Sequence, residues 1–96
     1  MAEAAKRTVS VRIEGRVQGV YYRAWTDRTA REIGLDGTVR NANDGSVEAV
    51  FSGPADKVAE MLRLCADGPS DARVTKVTVT QEGGSAPRGF KVIGTH

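Results

Sequence analysis

Chemistry-bearing side chains are scarce in this chain. It has one cysteine, Cys65, and one histidine, His96, at its last position. A single cysteine forms no internal disulfide and no thiolate cluster, and it makes a cytoplasmic setting the expectation. A single terminal histidine argues against a Ser–His–Asp arrangement and against a histidine-built zinc site. No apolar run approaches the roughly 18 residues that a membrane helix needs, so no membrane partner is expected. The opening MAEAAKRT lacks the apolar segment of a signal peptide. Nucleotide loops of the forms G-x-x-x-x-G-K-[ST] and G-x-G-x-x-G are absent.

What remains suits one small domain. Hydrophobic residues make up 40% of the 96, enough for a modest core, and 27% are charged, enough for a polar surface. We expect residues 1–96 to form a single domain, with 1–7 as a disordered polar arm, and the default is a monomer. Fourteen basic residues face twelve acidic ones, for a net charge of +2. That balance is too even for a protein that finds nucleic acid by charge alone. The type of basic residue is more informative, because ten of the fourteen are arginines. Arginine suits planar, bidentate oxyanions such as phosphate and carboxylate. Arg28 and Arg31 read as solvated helix residues, and Arg12 and Arg40 as residues of exposed strand faces. Arg23 has a different setting.

Periodicity orders the elements. Residues 8–14, TVSVRIE, alternate with Val9, Val11 and Ile13 on one face, which predicts a half-buried strand. The glycine-containing loop 15–20 follows. From about Tyr22 to Ile33 the period changes to that of a helix burying Tyr22, Trp25, Ala30 and Ile33, with Gly34 as its C-cap. A second strand covers 37–42. The turn signal Asn43-Asp44-Gly45 then leads into a third strand over 46–52. Gly53-Pro54 opens a second helix with proline at its first position and Val58, Met61, Leu62 and Cys65 as its buried stripe. Gly68-Pro69 ends it. Val74, Val77 and Val79 mark a fourth strand whose broken alternation predicts a bulge. A flexible loop, 83–89, precedes a short strand over 90–93. The order β-α-β-β-α-β plus a terminal strand predicts an α+β, ferredoxin-like split βαβ fold. Two helices should cover one face of a mostly antiparallel sheet.

The stretch EGRVQGVYYR joins the first strand to the first helix. A helix N-terminus offers unpaired N–H groups and the positive end of a dipole, and a loop curled over it can add more donors. Gly15 and Gly19 would allow close approach of a ligand, and Arg23 would supply a bidentate cation in the first turn. The loop therefore reads as a phosphate cradle. A tight connection that carries an exposed arginine fits the spacing as well. Asn41 ends the second strand, where asparagine commonly bonds its own turn.

GRVQGVYYR resembles the signature of the acylphosphatase family, roughly G-x-V-Q-G-V-x-F-R. GLDGTVRNANDGSVEAVFSGP resembles the family's second signature, G-x-V-R-N followed by a D-G turn and a strand. GPSDARVTKVTV and FKVI also fit, so the likeness runs from about Val9 to Ile93. It implies a ferredoxin-like enzyme that hydrolyses acyl phosphates to a carboxylate and inorganic phosphate without metal or cofactor. By the same resemblance, Arg23 and the backbone of Gly15, Arg16, Val17, Gln18, Gly19 and Val20 bind the phosphate. Asn41 orients the attacking water. The partners implied are a small acyl phosphate and inorganic phosphate as product and competitive inhibitor.

Two departures stand out. Tyr22 replaces a phenylalanine and brings a hydroxyl that needs a partner, and Thr38 replaces a tryptophan common before V-R-N. Tyr21 falls at a variable position near the pocket, and Cys65 reads as core. One alternative is an RNA-binding module on the same fold. It would need aromatics on the open sheet face, and Tyr21, Tyr22, Trp25, Phe51 and Phe90 form no such motif. Another is a non-catalytic phosphate or carbamoyl-phosphate binding domain of a larger protein, against which the chain's short length speaks.

Overall fold

Alternation of valine with polar residues builds the first strand, and the same pattern recurs until five strands lie side by side. The computed structural model describes residues 5–94. The elements are β1 (Lys6–Arg16), α1 (Tyr22–Ile33), β2 (Asp36–Asn41), β3 (Val47–Pro54), α2 (Ala55–Asp67), β4 (Arg73–Glu82) and β5 (Phe90–Val92). They form one sheet in the order β4-β1-β3-β2-β5. The β1–β3, β1–β4 and β2–β3 pairs are antiparallel and β2–β5 is parallel. Each βαβ unit is thus split by a strand of the other, as the element order predicts.

Val9, Val11 and Ile13 of β1 and Val47, Ala49 and Phe51 of β3 face the helices and are buried with Val58, Met61 and Cys65 of α2. The open face carries polar and charged residues, including the Arg40–Glu48 and Arg12–Asp44 ion pairs. Among the described residues no aromatic side chain lines the groove on that face. It is bounded instead by Ser10, Arg12, Thr38, Arg40, Glu48 and Val50, so the base-stacking platform of an RNA-binding sheet is missing there.

The structure shifts several boundaries. β1 begins at Lys6 rather than Thr8, so Lys6 and Arg7 belong to the sheet and not to a polar arm. Ladder pairing with Pro54 and Gly53 outweighs the polar composition there. The rest of the expected arm that precedes Ala5, and the lone histidine, lie outside the described residues. Pro54 ends β3 and serves as the N-cap of α2 instead of its first residue. The expected irregularity in β4 is present: Glu14 pairs with Lys76 and Gly15 with Val74, which leaves Thr75 as the extra residue.

Helix α1 buries Tyr22, Thr26 and Ala30, while Trp25 and Ile33 are only partly covered. Thr26 tolerates full burial because its hydroxyl donates to the Tyr22 carbonyl at 2.8 Å, one turn back. The Tyr22 hydroxyl donates to the Cys65 carbonyl at 2.6 Å. That contact joins the start of α1 to the last turn of α2.

Candidate active site

Strand directions decide which ends meet. β1 and β2 both run antiparallel to β3, and β5 runs parallel to β2. The C-terminal ends of β1, β2 and β5 therefore share one edge of the sheet. The β1–α1 connection, Asn41 at the end of β2 and Val92 at the end of β5 meet there. They enclose a pocket of about 480 Å³ whose walls include Val17, Gly19, Tyr21, Arg23, Asn41 and Val92. That volume suits a small ligand.

The local backbone explains the loop. Gly19 has φ 74°, a left-handed value that glycine adopts without strain, and a Cβ there would meet nothing within 4 Å. Tyr21 is also left-handed, at φ 64° and ψ 23°, which is unfavourable for an L residue and occurs here at the N-cap of α1. This cap contributes no side-chain hydrogen bond, and the first turn holds no acidic residue. Among the described residues, no backbone N–H of residues 17–24 donates to a protein acceptor. The helix start thus keeps its donors and positive dipole end unneutralised. Arg23, half-buried in the first turn, has no carboxylate partner among the described residues. Across the pocket, Asn41 is half-buried, and its Oδ1 is buried without a hydrogen-bond donor. An orphaned acceptor of this kind costs about 1–3 kcal/mol. The terminal torsion of asparagine is broad, so a modest turn of the amide brings that oxygen to a donor in the pocket.

The expected cradle residues separate into groups. Gly19, Arg23 and Asn41 share the pocket, and Val17 joins them. The Val17 and Val20 side chains are buried in the core, so only their backbones are available. Gly15 and Arg16, the last two residues of β1, do not line this pocket. Gly15 is required by the sheet: at φ 123°, a Cβ would lie 2.1 Å from the Arg73 carbonyl oxygen of β4. It borders a separate depression with Glu14, Asp44, Gly45 and Ser46. Arg16 is exposed and pairs across the ladder with Arg73. Gln18 does not line the pocket, and its side chain bonds the β2–β3 turn.

Two contributors went unread in the sequence. Val92 lies 46% exposed on the pocket wall, a position set by the parallel β2–β5 pairing, which leaves no local signal. The Gln18 side chain bonds residues more than twenty positions away. Tyr21, expected near the pocket, lines its mouth at 81% exposure.

The sequence model of the acylphosphatase family matches residues 9–92. The chain belongs to the acylphosphatase family. It is 50% identical over 80 residues to an acylphosphatase of Rhizorhabdus wittichii, covering 83% of this chain and 81% of that one. It is also 50% identical over 84 residues to an acylphosphatase of Rhodospirillum rubrum, covering 88% and 92%. Its fold superposes on an acylphosphatase structure from Coxiella burnetii with a TM-score of 0.88 at 29% identity, covering 97% of this chain and all of that one. The chain is accordingly an enzyme of the acylphosphatase type. Among the described residues, no helix is long and apolar enough to span a membrane, and no three His, Cys, Asp or Glu side chains cluster as metal ligands.

Proposed function

We propose that this pocket hydrolyses small acyl phosphates, with Arg23 and the loop backbone holding the phosphoryl group and Asn41 aiming the water. The observation that carries the reading is that three elements unpartnered among the described residues meet at one pocket: the Arg23 guanidinium, backbone N–H groups of the loop and helix start, and the buried Asn41 Oδ1. Guanidinium and backbone donors suit the equatorial oxygens of a phosphoryl group in flight. Asparagine is no base, but its carbonyl can accept a water hydrogen and orient the oxygen in line with the leaving group.

The water oxygen forms a bond to phosphorus while the bond from phosphorus to the acyl oxygen breaks. The electron pair leaves on the carboxylate, and the water proton passes to a phosphoryl oxygen. A carboxylate is a good leaving group, so general-acid assistance is dispensable. Inorganic phosphate, as product, competes for the same donors. The reading takes the chain as a cytoplasmic monomer, which suits the single buried cysteine.

Turnover of acetyl phosphate in ¹⁸O-water tests this. We expect the label in inorganic phosphate, with the same rate in EDTA. Label in the acetate, or a rate that collapses with chelator, would overturn the mechanism.

A further inference from the structure

The loop that carries the free N–H groups has one hydrogen-bonded side-chain tether among the described residues. The Gln18 amide Nε2 donates to the Ala42 carbonyl and to the Ser46 carbonyl, each at 2.8 Å. Ala42 directly follows Asn41. Ala42 and Ser46 also close the β2–β3 turn on themselves, since Ala42 N–H donates to Ser46 O at 2.9 Å and Gly45 N–H to Ala42 O at 3.2 Å. Asp44 Oδ1 accepts from the Ser46 N–H and hydroxyl, and Arg12 pairs with Asp44. The turn is therefore braced from within. Among the described residues, no N–H of the loop makes an equivalent backbone bond, and apolar burial of Val17 and Val20 is the loop's other anchor.

We propose that Gln18 is a positioning residue, which registers the phosphate-holding loop against Asn41 through its two bonds to the turn. The proposal rests on the reading of the pocket given above. Apolar anchors resist separation but set direction poorly, whereas two converging hydrogen bonds fix both distance and angle. In-line attack needs the aimed water and the held phosphorus aligned, and a displacement of about 1 Å costs about 100-fold in rate.

The test uses Gln18→Met, which keeps the shape but loses the donor, alone and combined with Asn41→Ala. Acetyl phosphate kcat and urea midpoints are measured on each. Gln18→Met should lower kcat about 10- to 100-fold. The double variant should turn over within about threefold of Asn41→Ala alone, because the tether acts through that residue. Effects that multiply, or a Gln18→Met kcat within about threefold of the parent, would overturn the proposal. Gln18→Glu covers the case in which Gln18→Met fails to fold. Its carboxylate faces two carbonyl oxygens and has no proton to give, whereas the protonated acid regains one donor. Its kcat relative to the parent should therefore rise as the pH falls, and a flat ratio would overturn the proposal. If Asn41→Ala alone keeps full activity, the reading of the pocket fails, and the role of Gln18 fails with it.

Discussion

Replacing Tyr22 with phenylalanine should destabilise this protein, although phenylalanine is what the family signature carries. Tyr22 is 1% exposed, and its hydroxyl donates to the Cys65 carbonyl at 2.6 Å. In a continuing helix that carbonyl would receive the N–H four residues on. Here that residue is Pro69, which has no N–H to give. Gly68 N–H bonds Leu64 and leaves Cys65 O to the tyrosine. Removing the hydroxyl thus strands a buried helix carbonyl, at a cost of about 1–3 kcal/mol. For a domain of this size each kcal/mol lowers Tm by about 4–8 °C. Urea unfolding followed by circular dichroism should show a lower midpoint with an unchanged slope, since the surface exposed on unfolding is the same. A midpoint equal to or above that of the parent would refute the claim that Tyr22 caps α2.

Burial pushes the Cys65 thiol up to about 12, so a thiol reagent should label the unfolded chain and leave the folded one unmodified over the same period. The same shift stabilises the fold fully below the unfolded thiol's value of about 8.5, and that contribution fades as pH rises from there toward 12. Alkaline titration of Cys65→Ala against the parent should therefore show a shallower loss in the variant. Gly15→Ala should cost at least about 2 kcal/mol, through left-handed strain and displacement of the β4 backbone. Inorganic phosphate binding by the folded fraction should persist, whereas a selective loss of phosphate affinity without loss of stability would return Gly15 to the cradle.

The elements were legible because each kept its own period. α1 was bounded by its tyrosine and by Gly34, and β1 by its alternating valines. The bulge at Thr75 was legible as a break in the alternation of the β4 valines. What the pattern missed is non-local. Composition marked Lys6 and Arg7 as an arm, but a ladder to Gly53 and Pro54 made them strand. The need of β4 for a glycine at position 15 was hidden, because a glycine beside a loop does not reveal whether a neighbouring strand needs the space. Thr26 was hidden by its polarity, since only the helix geometry supplies the carbonyl that satisfies it. In the pocket, Arg23 and Asn41 were suggested by motif, while their shared volume depends on β1 and β2 running the same way around β3. Val92 and the Gln18 tether depend on pairings that no window of sequence contains.

Arg23 and Asn41 divide the work of the proposed reaction in one pocket. Steady-state kinetics on acetyl phosphate, with inorganic phosphate as competitor, separates the two on folded Arg23→Ala and Asn41→Ala variants. Both substitutions should nearly abolish kcat, Arg23→Ala should also weaken phosphate inhibition, and Asn41→Ala should leave the phosphate inhibition constant near that of the parent. Full activity in either variant, or phosphate inhibition that survives loss of Arg23 and disappears with loss of Asn41, would contradict this division of work.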